Sequence, residues 1–80
     1  MTRATLLAQK KISEVEMGVF PSLGAVAGDF PEPDDRFNWT QTVTTTPFDF
    51  ARQVDIVVSW REGERQESIL LTTFVVDETS

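Results

Sequence analysis

The sequence contains no cysteine, no histidine and no tyrosine. Without cysteine there is no disulfide framework, no thiolate nucleophile and no thiolate-ligated zinc or iron–sulfur cluster. Without histidine the commonest general base and the commonest metal ligand are both missing. Catalysis would have to rest on carboxylates, Lys, Ser or Thr alone. The lack of cysteine leaves the compartment open, because it suits cytosol and periplasm equally. Long apolar runs are also lacking. Val54–Val58, broken by Asp55, and Ile69–Val76, broken by Thr72 and Thr73, fall far short of the ~20 apolar residues of a spanning helix. The N-terminus has one Arg, a short Leu6-Leu7-Ala8 patch and then Lys10-Lys11, which is no secretory h-region. The chain reads either as cytosolic or as a fragment that lacks its membrane part.

Positive charge is scarce. Seven Lys+Arg stand against thirteen Asp+Glu, for a net charge of −6 and an isoelectric point near 4.4. Such a balance repels phosphate backbones, so nucleic acid is not the expected partner. What is present is ordinary for a globular domain: 80 residues, 40% hydrophobic and 25% charged. That length makes a single domain, residues 1–80, with a small core to which partner surfaces can add stability.

Residues 1–17 read as a helix rich in Ala, Leu, Gln, Lys and Glu, with Thr2 as N-cap and Gly18 as stop. At 100° per residue Ala4, Leu7, Ala8, Lys11, Ile12 and Val15 share one face, and small Ala4 and Ala8 allow close approach to a sheet. Leu6 and Met17 fall on the opposite side beside Lys10. They are either ordinary exposed apolar surface or a second contact face for another chain.

Residues 18–36 read as a structured loop, punctuated by Gly18, Pro21, Gly24, Gly28, Pro31 and Pro33. Its apolar residues Val19, Phe20, Leu23, Val26 and Phe30 predict that it lies packed along the body. From residue 37 to 76 the period is two, as in an antiparallel meander of three to four strands. Phe37, Trp39, Gln41 and Val43 form one inward set, and Val54, Ile56, Val58 and Trp60 another. Gly63 marks a turn between the second of these strands and the next, Glu67–Val76. There the inward set is either Ser68, Leu70, Thr72, Phe74 and Val76 or Ile69, Leu71, Thr73 and Val75. Two faces so hydrophobic predict a strand covered on both sides over part of its length. Residues 77–80 are a tail. One helix on a meander is an α+β domain.

Chemistry has few candidates. Asp29, Glu32, Asp34 and Asp35 cluster in one loop, the donor type a hard cation such as calcium needs. Their spacing is not that of an EF-hand, and a solvated acidic loop is the plainer reading. Asp49 and Asp55 are a carboxylate pair by count only, with nothing to build a pocket around them. Ser59, Ser68 and the Thr42–Thr46 run have no activating base. Trp39 and Trp60 offer stacking platforms for a small ligand, but they sit on apolar strand faces where core is the default. No cofactor motif is present.

The order of features nonetheless resembles a known family. Leu7-Ala8-Gln9-Lys10-Lys11-Ile12-Ser13-Glu14-Val15-Glu16, the loop ending in Gly28-Asp29-Phe30, and Phe37-Asn38-Trp39 are similar to the minor pseudopilins of bacterial type II secretion. The similarity continues through Val43, Thr46-Pro47, Val54-x-Ile56-x-Val58-Ser59-Trp60, Gly63 and Leu70-Leu71-Thr72-Thr73-Phe74, and looks most like the I component. The resemblance implies a pilin-like fold in which residues 2–17 are the soluble end of a longer helix. It implies a structural role with J-like and K-like minor pseudopilins and the major pseudopilin. It places the domain in the periplasm of a Gram-negative bacterium, on an inner-membrane anchor whose hydrophobic helix and leader are missing here. On that reading Leu6, Lys10 and Met17 become a partner strip. A type IV pilus minor pilin shares the same plan and is the nearest alternative.

Overall fold

The computed structural model describes residues 3–18 and 20–77, so the expected cap at Thr2 and the packing of Val19 lie outside the described residues. Helix α1 spans Arg3–Met17 and is followed by four strands: β1 (Gly24–Asp29), β2 (Asn38–Thr45), β3 (Ala51–Glu62) and β4 (Arg65–Val76). The strands form one antiparallel sheet in the order β1-β2-β3-β4. With α1 packed on one face, the architecture is α+β.

The segment expected to be a loop at 18–36 therefore contains a strand. Gly24–Asp29 has little strand propensity, but it pairs residue by residue with β2, from Gly24↔Val43 to Asp29↔Asn38. Tertiary pairing, not local preference, makes it a strand. Nor does the segment pack along the body throughout. Phe30 and Pro21 are buried and Phe20 half-buried, whereas Leu23 and Val26 are exposed.

The ends of β4 and β3 are joined by a two-residue turn at Gly63-Glu64, closed by the pair Glu62↔Arg65. Gly63 has φ +63°, and among the described residues no non-glycine residue has positive φ. A positive φ confined to the first central residue is the signature of a type II′ turn, whose twist matches that of the flanking strands. Between β2 and β3 the Thr46 hydroxyl accepts from the Phe48 N–H at 3.1 Å and lies 3.0 Å from the Phe48 and Ala51 carbonyls. This local knot closes the chain after β2, where Pro47 cannot continue a ladder.

The core lies between α1 and the inner face of β3 and β4. Ala4, Leu7 and Ala8 from the helix meet Val54, Ile56 and Val58 from β3, and Phe30, Phe37 and Val43 complete the buried set. Ile12, Val15, Trp39, Trp60, Ile69, Leu71 and Val75 pack half-buried around it. Small Ala4 and Ala8 bring the helix backbone close to the sheet. On β4 the inward set is thus Ile69, Leu71, Thr73 and Val75. The other set is not covered as expected: Leu70, Phe74 and Val76 are 59%, 60% and 50% exposed. The helix can lie on only one face, and no other described element reaches the second.

The helix stops short of the β1 side of the sheet, and Trp39 covers part of that gap. Its indole lies between Lys11, whose Nζ is 3.8 Å from the ring centroid, and Gly28 on the neighbouring strand. Phe37 and Trp60 meet at 5.7 Å between ring centroids. At the other end Arg52 stacks on Phe20 at 4.4 Å and donates to the Pro21 carbonyl, fixing the chain that leaves the helix.

Candidate functional site

The acidic residues do not gather. Asp29 accepts a hydrogen bond from Asn38, and Asp34 accepts from Arg3 Nε at 2.6 Å, so the two point to different partners. Glu32 and Asp35 are exposed. Among the described residues no group of three acids is placed to hold a metal ion, which corrects the calcium reading of Asp29, Glu32, Asp34 and Asp35. Neighbours in sequence on a loop need not share a direction, and here ion pairing with the helix pulls one acid away.

The other chemical candidates are equally dispersed. Asp55 lies on the outer sheet face, bound by the Thr72 hydroxyl at 2.7 Å and Gln53 Nε2 at 3.1 Å, while Asp49 is in the exposed turn after Pro47. They share no cleft. Trp60 Nε1 donates to Glu62 at 3.0 Å, and beside it an open depression of about 510 Å³ is lined by Arg3, Arg36, Phe37 and Ile69 among others. Its two cations are engaged: Arg3 with Asp34, and Arg36 over the Phe37 ring at 4.9 Å. Trp39 is held between Lys11 and Gly28, so neither indole is a free stacking platform.

What the fold does offer is surface of two kinds. The outward side of α1 carries Leu6, Lys10 and Met17, with Leu6 62% and Met17 85% exposed. These three fall at spacings of four and seven, which align them along one stripe of a helix. The inner stripe is fully engaged, since Ala4, Leu7 and Ala8 are buried and Glu16 accepts from the Thr73 hydroxyl at 2.9 Å. The second surface is the free edge of β4 with the apolar outer set beside it. Sequence periodicity exposes the first surface. The second is invisible until strand order is known, because it depends on β4 having no further neighbour among the described residues.

A short helix thus lies on a four-stranded antiparallel meander, with the chemistry-bearing side chains dispersed and an exposed apolar stripe facing out. The family model for type II secretion system (T2SS) protein I matches residues 1–76, and the chain belongs to that family. Pseudopilins of this system are structural components and not enzymes. No curated protein and no solved structure matches the chain. No helix among the described residues is long and apolar enough to cross a membrane.

Proposed function

We propose that this domain is the exposed part of a minor pseudopilin that assembles with J-like and K-like minor pseudopilins into the tip of the pseudopilus, above the major pseudopilin. In this reading the domain stands in the periplasm, carried by a hydrophobic N-terminal helix in the inner membrane. The observation that carries it is the outward stripe of α1, which presents Leu6 at 62% and Met17 at 85% exposure on a helix whose other side is already committed to the core. Burying apolar surface contributes about 25 cal/mol per Å², so closing such a stripe against a second helix is a substantial gain. Lys10 on the same stripe supplies a positive group to an acidic partner face.

The test is Leu6→Asp. Leu6 makes no part of the buried core, so the variant should keep the far-UV circular dichroism and melting temperature of the parent. Co-elution with a J-like minor pseudopilin on size exclusion should weaken at least tenfold. Undiminished binding would reject the stripe as the contact face.

A further inference from the structure

The two edges of the sheet are built differently. β1 is six residues long, made of Gly, Ala, Val and Asp, and bracketed by Pro21 and Pro31. β4 is twelve residues long and carries no charge and no proline from Ser68 to Val76. Natural sheets protect a long edge with lysine, proline, a bulge or a covering loop. β4 has none of these along that stretch, and its ladder with β3 runs unbroken from Arg65 to Val76.

The backbone direction of the free edge follows from the pairing. The Asp77 N–H donates to the Phe50 carbonyl at 2.8 Å, and the turn closes on Glu62↔Arg65. Antiparallel pairs alternate, so the odd-numbered residues of β4 direct their N–H and C=O groups to β3 and the even-numbered ones direct theirs outward. Gln66, Ser68, Leu70, Thr72, Phe74 and Val76 thus present a row of donors and acceptors that no strand among the described residues pairs with.

We infer that this edge pairs with the same edge of a second copy of the chain, β4 against β4 antiparallel, with a two-fold axis at Leu71. Three features select this occupant and this register. First, hydrogen-bonded pairs must join even to even residues, and a two-fold at Leu71 sets Leu70 opposite Thr72 and Ser68 opposite Phe74 of the second copy. Second, the same register brings Arg65, which pairs with Glu67 at 2.8 Å on its own strand, opposite Asp77 of the other copy, twice by symmetry, whereas centring the axis on Thr72 would oppose Glu67 to Asp77. Third, α1 lies astride β3 and β4, about 4.8 Å from such an axis at ordinary strand spacing. The two helices would then run antiparallel about 10 Å apart on one face of a continuous eight-stranded sheet, at a normal helix-packing distance. The side of α1 toward this edge, marked by the Glu16–Thr73 bond, carries the small or polar Thr5 and Gln9. A closed two-fold uses up the β4 edge of each copy, so association through this edge stops at two. This surface is separate from the Leu6 stripe, and its failure would leave the assignment of that stripe untouched.

The test is sedimentation of the protein up to millimolar concentration. A concentration-dependent dimer is expected. Thr72→Pro removes an outward N–H, keeps the backbone ladder with β3 and loses the Thr72–Asp55 side-chain bond. It should raise the dimer dissociation constant at least tenfold, whereas Thr72→Val, which loses only the side-chain bond, should not. Arg65→Glu, at a solvent-exposed position, should raise it about fivefold, and adding Asp77→Arg should restore it. Leu71→Cys, on the axis, should oxidise to a covalent dimer much faster than Ser68→Cys, which stands far from its own copy. A monomer at all concentrations would overturn the inference. So would a dimer indifferent to these variants, or equal crosslinking at the two cysteines. A monomer that binds a J-like pseudopilin only while Thr72 is intact would assign the edge to that partner instead.

Discussion

A Cβ atom added at Gly28 would lie 2.9 Å from Cζ2 of Trp39 and 3.1 Å from Cε2. The indole rests against the bare backbone of β1 and uses the missing side chain as its seat. Real Cβ atoms do not tolerate such an approach, so Gly28→Ala must push the ring off Gly28 toward Lys11. Overpacking of this kind costs about 1–3 kcal/mol. In a domain of this size the melting temperature should fall by at least about 4 °C. Ala27→Val, on the exposed outer face of the same strand, should change it little. Equal melting temperatures for Gly28→Ala and the parent would show that the ring has room to move.

Ile56 is fully buried between the helix and the sheet. Truncation to Ala removes its packing and leaves a cavity, at about 2–5 kcal/mol. A chain of 80 residues has a total stability of only about 4–12 kcal/mol, so this one change takes a large share. The urea midpoint should drop sharply with an unchanged slope. Leu70→Ala, across the sheet on an exposed position, should shift the midpoint by less than a third as much.

Gly63 adopts φ +63° in the two-residue turn. Gly63→Val places a β-branched side chain in the left-handed region and should cost more than about 1 kcal/mol, read as a lower melting temperature. Gly63→Asn should cost less, because Asn tolerates that region. The order of the two variants is the check. If they melt together, the turn has rearranged.

Lys11 stands over the Trp39 ring and is also 3.6 Å from Glu14. Lys11→Gln keeps the polar tip but removes the charge. It should destabilise by about 0.5–1 kcal/mol and alter the Trp fluorescence maximum, whereas Lys10→Gln on the outward stripe should do neither.

The sequence made some of these relationships readable and hid others. The helix was legible because Ala4, Leu7, Ala8, Ile12 and Val15 repeat at helical spacing, and β3 because Val54, Ile56 and Val58 alternate. β1 was hidden because Gly24-Ala25-Val26-Ala27-Gly28 has no strand preference of its own and owes its form to β2. On β4 both alternating sets are apolar, and only the placement of the helix decides between them. The acidic loop suggested a cation site because proximity along a chain says nothing of direction. In the fold Arg3 and Asn38 each take one of the acids.

The Arg52 clamp has a mechanical consequence. α1 lies alongside β4, and its far end is fastened where Arg52 grips Phe20 and Pro21. Tension applied to the N-terminus would therefore load the helix–sheet contact in shear along its whole length, before any strand could be peeled from its neighbour. Bonds loaded together in shear yield at a higher force than bonds that yield singly.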